Sequence, residues 1–289
     1  MCFYRNVYLP VKTQFFYADR LYHDFEGIAT EELRKTSLFS KHSDCKNRLA
    51  GRYTFSPSDC TSCQTEGGDG VPEKQVKSKQ RVTDHGEVFT NEREVKAMCD
   101  LVKQETERID SRFLEPACGE GAFLTEILRR KLAVVKSKYG KSPFDYERYA
   151  VLAITSIYGV DILEDNTEIC RQKLFEIWNK EYTANAKTQA NDQCRETVKF
   201  ILRKNILCGD ALTMQQADGS PIIFAEWNLV TGNQIKRRDY ALDELLSGHE
   251  EQMNIFQIGW EYDEEVQAFI PAPVREYPLT DYRRLAQHE

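Results

Sequence analysis

Short apolar segments alternate with amphipathic segments of ten or more residues between residues 81 and 240, and this alternation constrains the fold more than any other feature. The apolar segments are SRFLEP, IYGVDI, NILCGDAL and PIIFAEWNLVTGN. The amphipathic segments, such as NEREVKAMCDLVKQETERI and EDNTEICRQKLFEIWNKEY, carry apolar residues at helical spacing. Strands that alternate with helices in this way predict βαβ units, and therefore an α/β fold with a mostly parallel central sheet.

The chain divides into three predicted parts. Residues 1–80 are expected to form an N-terminal extension that is largely linker-like, because its later part is rich in Ser, Gly, Lys and Gln. Residues 81–240 form the α/β core. Residues 241–289 are expected to complete the domain with a helix near DYALDELLSG and a β-hairpin in FQIGWEYDEEVQAFIPAP.

The composition is that of a globular protein, and we expect a cytoplasmic location. The 289 residues are 41% hydrophobic and contain no run of 18 apolar residues, and the polar N-terminal segment has no apolar core, so we expect neither a secretory signal nor membrane association. Nine cysteines without export features predict reduced thiols. The net charge of −7 argues mildly against tight, autonomous DNA binding, although the basic run at 236–238 is either a phosphate contact or a solvated loop.

Glycine, acidic and amide residues follow the predicted strands. Gly119 and Gly121 form a turn after FLEPAC, where glycine lets the backbone approach a ligand closely. Asp161 ends the next strand and is placed to accept hydrogen bonds from a ribose diol. Asp210 is placed to accept one from an adenine amino group, and Asn233 ends the last strand. Because ligands bind beyond the carboxyl ends of parallel strands, we expect these residues to share one rim.

Each of these residues also has a purely structural interpretation. The two glycines can form a tight strand-to-helix turn, Asp161 can cap the following helix, and Asp210 can cap the turn before Met214. The third glycine of GxGxxG is missing and Asp161 lies forty residues after Gly121, which argues against NAD. The order of all these features along the chain nevertheless favours a nucleoside-like ligand.

The segments HGEVFTNEREV, FLEPACGEGAFLTEILRRKL, YGVDILEDNTEICRQKL and NILCGDAL resemble successive motifs of a known family. The family comprises the S-adenosylmethionine-dependent adenine-N6 DNA methyltransferases of restriction–modification systems. The resemblance covers residues 80–234. It implies a Rossmann-like class I methyltransferase fold, S-adenosylmethionine as the cofactor, and double-stranded DNA as a partner, bound directly or through a specificity or restriction subunit.

The resemblance also implies roles for individual residues. Phe89 and Thr90 would contact the methionine end of the cofactor, and Asp161 would bind its ribose. Ile162 would pack on the adenine ring, and Asp210 would recognise the adenine amino group. The full set of implied cofactor-binding residues is Phe89, Thr90, Glu115, Ala117, Gly119, Gly121, Asp161, Ile162, Asp210 and Ala211.

The catalytic tetrapeptide departs from the family pattern of Asn-Pro-Pro-Tyr or Phe. The aligned residues here are Asn233, Gln234, Ile235 and Lys236. Asn233 and the carbonyl of Gln234 are the catalytic candidates, because two acceptors for the amino hydrogens favour the pyramidal nitrogen of the transition state. Lys236 cannot stack on a flipped base. A catalytically silent relative that acts as a subunit or regulator is the second hypothesis, and methylation of another nitrogen in RNA or protein is the third.

Three further features admit simpler interpretations. Cys60 and Cys63, with His42 and Cys45, have zinc-ligand spacing but lie in linker-like sequence, so no metal site is predicted. Cys118, in the glycine turn, is expected to be structural rather than nucleophilic. Phe224 and Trp227 alternate along a strand and are predicted to be core residues.

Overall fold

A computed structural model of the chain describes residues 15–17, 77–85, 87, 89–243, 260–263 and 268–287. The chain falls into two compact units, one made of residues 1–20 with 92–289 and the other of residues 21–91. Within the second unit, the described part contains helix α1 (Lys79–His85). All other helices and strands given below belong to the first unit. No described helix combines the length and the apolar composition that a membrane span requires.

Six α-helices of the first unit occur in the sequence regions with helical periodicity. Two of them begin after an N-cap residue whose side chain accepts a hydrogen bond from the first turn. The Ser142 hydroxyl accepts from the Asp145 N–H at 3.3 Å, and Asn191 Oδ1 accepts from the Cys194 N–H at 2.7 Å. The helices are α2 (Glu92–Leu101), α3 (Lys103–Thr106), α4 (Ala122–Tyr139), α5 (Pro143–Thr155), α6 (Glu164–Ala186) and α7 (Asp192–Asn205).

A parallel sheet lies among these helices, with strand order β1-β2-β3-β4. Phe113 of β2 is opposite Ile157 of β3, and Gly159 of β3 is opposite Ile206 of β4. Every residue of β2 and β3 is buried, as expected for parallel strands covered on both faces. The predicted β2, β3 and β4 are confirmed, whereas the sequence did not predict β1. The strands are Phe15–Tyr17 (β1), Arg112–Glu115 (β2), Ile157–Asp161 (β3) and Ile206–Cys208 (β4).

A second, antiparallel sheet contains the apolar segment that was predicted to extend the parallel sheet, so that prediction is wrong. Strand β6 lies between β5 on one side and β9 and β10 on the other. A separate pair, β7 with β8, confirms the predicted C-terminal hairpin. The strands are Ile223–Leu229 (β5), Gln234–Ala241 (β6), Trp260–Asp263 (β7), Ala268–Pro271 (β8), Arg275–Glu276 (β9) and Thr280–Asp281 (β10).

The connection between β4 and β5 explains why the chain leaves the parallel sheet. A parallel neighbour requires a crossover, usually a helix, that returns the chain to the starting end of the sheet. Here Asp210 and Pro221 each form a β-bridge with Gln215, and the Ile222 N–H donates to the Met214 carbonyl at 2.9 Å. A Cβ built on Gly209, just after β4, would lie 2.9 Å from Ile222 Cδ1, whereas Trp227 Nε1 donates to Asn205, just before β4. Strand β5 therefore starts beside the end of β4 and runs in the direction opposite to the parallel strands.

Buried hydrogen bonds join β5 to the parallel sheet and its helices. The Tyr158 hydroxyl of β3 donates to the Ala225 carbonyl at 2.9 Å, and Trp227 Nε1 donates to Asn205 Oδ1 at 2.8 Å. The rings of Tyr158 and Phe224 make an edge contact with centroids 5.4 Å apart. Phe224 and Trp227 are 2% and 3% exposed, which confirms that both are core residues.

Two local predictions need correction. Residues 239–241 of the predicted DYALDELLSG helix belong to β6, residues 242–243 are helical, and residues 244–248 lie outside the described part of the chain. The basic run at 236–238 lies in the same strand rather than in a solvated loop. Arg237 is buried and makes a bidentate ion pair with Asp239 at 2.8 and 2.7 Å. Lys236 and Arg238 both pair with Glu276, so the run stabilises the antiparallel sheet instead of presenting three unpaired cations.

Candidate functional site

The glycine turn connects β2 to α4 and is held against the neighbouring strand. The Cys118 N–H donates to the Val160 carbonyl of β3 at 2.8 Å, and the Gly121 N–H donates to the Cys118 carbonyl at 2.8 Å. Gly119 and Gly121 have φ values of +51° and +84°, in the left-handed region where glycine is strongly favoured. The turn therefore needs both glycines for backbone geometry alone.

The two glycines differ in the space above their Cα atoms. A Cβ built on Gly121 would lie 2.6 Å from the Cys170 Sγ, so a larger residue there would collide with helix α6. A Cβ built on Gly119 would meet no described atom within 4 Å. Close packing against α6 accounts for Gly121, whereas the open space above Gly119 leaves its side of the turn accessible to a ligand.

Asp161, at the end of β3, stabilises the glycine turn through its carboxylate. Its Oδ2 accepts from the Gly119 N–H at 2.9 Å, and its Oδ1 accepts from the Leu163 N–H at 2.9 Å and from Asn166 Nδ2 at 3.2 Å. A carboxylate has about four acceptor positions. Three are occupied here, and the residue is only 8% exposed. Asp161 therefore retains one acceptor position, on Oδ2, rather than the two that a bidentate ribose contact would use.

Asp210 lies beside Asp161 at the end of the next strand. The Gly209 N–H donates to the Asp161 main-chain carbonyl at 2.9 Å, which fixes the two strand ends side by side. Asp210 Oδ1 accepts from the Leu212 N–H at 2.8 Å, in agreement with the turn-capping role that the sequence left open. Ala211 follows it and is half-buried. The structure thus brings Gly119, Asp161 and Asp210 together, and we call these three residues the strand-end rim.

Two exposed apolar side chains follow the acids of the strand-end rim. Ile162 is 51% exposed directly after Asp161, and Leu212 is 87% exposed two residues after Asp210. Sequence reasoning named Ile162 but missed Leu212, although an apolar residue in a turn next to a strand-end acid was a visible signal. Two further residues were predicted to bind the cofactor. Ala117 is exposed, whereas Glu115, at the end of β2, is only 8% exposed.

Phe89 and Thr90 belong to the unit made of residues 21–91. Both are half-buried, and the Lys77 Nζ lies 5.8 Å from the centroid of the Phe89 ring. The other eight predicted cofactor residues all belong to the first unit.

Asn233 does not lie at the strand-end rim. Strand β5 starts beside that rim at Ile223 and spans roughly 20 Å at 3.3 Å per residue before the turn that contains Asn233. At its far end, Leu229 lines a cavity together with Ser111 and Ser156, the residues that precede β2 and β3. Asn233 therefore lies toward the opposite end of the parallel sheet, and the expected convergence of all four strand ends fails for this residue.

The backbone near Asn233 is engaged in the β5–β6 hairpin. The Gln234 carbonyl accepts from the Val230 N–H at 2.8 Å, and the Asn233 carbonyl accepts from the Tyr282 N–H at 2.8 Å. Asn233 Oδ1 is buried without a hydrogen-bond partner among the described residues. The Gln234 carbonyl proposed as the second catalytic acceptor thus already has a structural donor.

The cysteine in the glycine turn is not an activated nucleophile. Its interaction with Cys170 and its burial raise the pKa of the Cys118 thiol well above the usual range, so the thiol stays protonated. Among the residues that the structure describes, no group of His, Cys, Asp and Glu side chains is arranged to hold a metal ion. His42, Cys45, Cys60 and Cys63 lie outside those residues.

The strand-end rim thus combines an open glycine turn, two carboxylates and exposed apolar side chains, which suits a polar ligand with a flat apolar ring. Comparisons with known proteins add no identification to this geometry. No protein-family model matches the sequence, and no curated protein or solved structure is significantly similar to it.

Proposed function

We propose that the chain is a Rossmann-like, class I methyltransferase-type domain that binds S-adenosylmethionine at the strand-end rim. The observation that carries the proposal is the hydrogen bond between the Gly119 N–H and the Asp161 carboxylate, which joins the glycine turn to the acid of the next strand. The parallel strands β2, β3 and β4, connected through helices, support the same proposal because nucleoside ligands bind at the carboxyl ends of such strands.

The residues at the strand-end rim fit a nucleoside in three respects. Asp161 keeps an acceptor position for one ribose hydroxyl. Ile162 and Leu212 offer exposed apolar surface for a purine ring. Asp210 offers a carboxylate for an exocyclic amino group, and the open face of Gly119 lets the rest of the ligand approach the backbone.

Methyl transfer to the N6 amine of adenine in double-stranded DNA, within a restriction–modification or phage-defence system, is the activity that we propose for the catalytic form. The bound cofactor would supply an electrophilic methyl group. The chain would have to position the adenine amine and accept its hydrogens. Asn233 has an unpartnered side-chain oxygen for this task. It would have to move to the rim, or a partner subunit would have to supply the acceptors there.

A catalytically silent relative that binds the cofactor and acts as a subunit or regulator is the second candidate. The distance of Asn233 from the strand-end rim and the engaged carbonyl of Gln234 both favour it. The geometry supports cofactor binding better than it supports transfer, so cofactor binding is the function that we conclude for this chain.

Replacing Ile162 or Leu212 by serine is expected to weaken S-adenosylmethionine binding by about tenfold each, since each change removes apolar contact worth about 1–2 kcal/mol. Both side chains are exposed, so stability should change little. Isothermal titration calorimetry measures the affinity, and thermal unfolding checks the fold. Val274→Ser is the matched control, because Val274 is 55% exposed and lies outside the rim. Equal affinity for S-adenosylmethionine in all three variants would mean that the cofactor binds elsewhere or does not bind.

A methyl-transfer assay separates the two candidates. Unmethylated double-stranded DNA is incubated with the full chain and S-adenosylmethionine labelled in its methyl group. If the chain is an enzyme that uses Asn233, Asn233→Ala is expected to lower transfer at least a hundredfold while cofactor affinity is retained. Cofactor binding without transfer in the unmodified chain supports the silent relative. Transfer that is unchanged in Asn233→Ala removes this residue from the mechanism.

A further inference from the structure

A cavity of about 440 Å³ lies at the end of the parallel sheet opposite the strand-end rim. Its wall is formed by the segment that enters β2, by helix α5 with the start of β3, and by the end of β5. This volume falls in the range of small-molecule sites. Residues that matter for its chemistry are Arg108, Arg112, Arg148, Tyr149, Leu152 and Leu229.

Two arginines of the cavity wall have hydrogen-bond donors without acceptors. Arg112 has a side chain that is 8% exposed, and its Nη1 has no acceptor among the described residues. The Nε of Arg148 is likewise buried without an acceptor among them. A buried guanidinium donor without a partner is destabilising. The two donors belong to residues on different elements that line one cavity, although both nitrogen atoms are themselves enclosed by protein.

The arginines that line the cavity differ in their ion pairs. Arg108 lies 3.4 Å from Glu105 and 3.5 Å from Asp110, so its single positive charge is shared between these two carboxylates of the wall. Arg112 Nη2 donates to Glu226 at 3.0 Å. Arg148 donates through Nη2 to the Val230 carbonyl, and it forms no ion pair with any carboxylate in the described part of the chain. Of the three arginines that line the cavity, Arg148 is therefore the one without an ion pair among the described residues.

We propose that this cavity binds a small organic oxyanion, whose phosphate or carboxylate group is held by Arg112 and Arg148. Guanidinium groups bind such anions through paired, charge-assisted hydrogen bonds. The apolar body of the ligand lies against Tyr149, Leu152 and Leu229. The site is separate from the strand-end rim, so it does not depend on S-adenosylmethionine.

Four probes test the chemistry: phenyl phosphate, benzoate, phenol and inorganic phosphate. Phenyl phosphate and benzoate share one ring and differ in the anion, phenol has the ring without the strong anion, and inorganic phosphate has no apolar body. Titration is followed by the indole N–H signal of Trp227, which lines the cavity, with the Trp178 indole as internal control. We expect saturable shifts at Trp227 with at least one of the first two probes and weaker binding of the other two.

Arg148→Gln is expected to weaken the bound probe about tenfold, because the amide keeps a donor for the Val230 carbonyl but loses the charge. Arg112→Lys is the second variant, since it preserves the charge beside Glu226 and removes the planar fork. Arg129→Gln, on an arginine that is 54% exposed and outside the cavity, is the control and should bind normally.

Three results would overturn the proposal: no saturable shift with either anion, equal binding of phenol and phenyl phosphate, or unchanged affinity in both cavity variants. Titrating Arg148→Gln with S-adenosylmethionine measures cofactor binding in the same variant, so a failure of the anion site can be told apart from a failure of the cofactor site. All strand-end residues are intact in that variant, so failure at one site leaves the result at the other interpretable.

Discussion

Replacing Glu147 by alanine is expected to lower the free energy of unfolding by about 3–5 kcal/mol, because it leaves the partly buried Arg283 guanidinium and several buried hydrogen-bond donors without their acceptor. Glu147 is 2% exposed in α5. Its Oε2 accepts from the Tyr182 hydroxyl at 2.6 Å and from Asn191 Nδ2 at 3.2 Å. Its Oε1 accepts from the Tyr282 hydroxyl at 2.9 Å and from Arg283 Nε at 2.6 Å.

This carboxylate joins three parts of the first unit that are distant in sequence: α5, the end of α6 with the segment that follows it, and the C-terminal 3₁₀ helix (Tyr282–Gln287). Burial and the neighbouring carboxylate raise the pKa values of Tyr182 and Tyr282, so both hydroxyls remain donors near neutral pH. Losing the carboxylate should therefore loosen the C-terminal segment as well as lower global stability.

Urea denaturation followed by circular dichroism measures the effect. Glu181→Ala is the matched control, because Glu181 is 34% exposed and pairs with Lys136 at 3.2 Å on the surface. That variant should change the unfolding free energy by less than about 1 kcal/mol. A Glu147→Ala protein as stable as the control variant would show that this network contributes little.

Replacing Lys131 by methionine is expected to remove a pH-dependent part of the stability between about pH 7 and pH 10. Lys131 is fully buried in α4, and its Nζ donates to the carbonyls of Ile109 and Ser111 and to Ser156 Oγ at 2.6 Å. Burial lowers the pKa of Lys131 to about 7, against about 10.4 for an unfolded lysine.

Between these two pKa values the unfolded chain holds a proton that the folded chain does not. Stability therefore rises with pH in this window, by at most about 1.4 kcal/mol for each pH unit. The part of the stability that depends on Lys131 titration is fully present above the pKa of the unfolded chain. It is lost as the pH falls through the pKa of the folded chain. Methionine has no proton to bind, so the variant lacks this slope.

The measurement is the difference in unfolding free energy between the unmodified chain and Lys131→Met across this pH range. Taking the difference cancels the titration of the cysteines and tyrosines. Lys136→Met, at a lysine that is 57% exposed, provides the control without a slope. A difference that stays constant with pH would mean that the three oxygen acceptors keep Lys131 charged at its ordinary pKa.

The hydrophobicity pattern of a single segment was sufficient to predict the parallel strands β2, β3 and β4 and the helices between them. The apolar segments of β2, β3 and β4 are short, buried and followed by glycine or acid, and the helices between them show clear periodicity. Strand β6 gave no such signal. Its buried positions include Arg237 and Asp239, which neutralise each other, and a hydrophobicity pattern cannot reveal polar residues that are buried as a pair.

For the candidate site, the residue types and their order along the chain were enough to predict that Gly119, Asp161 and Asp210 follow successive parallel strands, because strand ends in such a sheet fall at one edge. The position of Asn233 was decided by tertiary structure. The connection of residues 209–222 between β4 and β5 reversed the chain where a crossover helix would have carried it across the sheet. Strand direction depends on which strands the segment can pair with in space, and the residues of one segment do not contain that information.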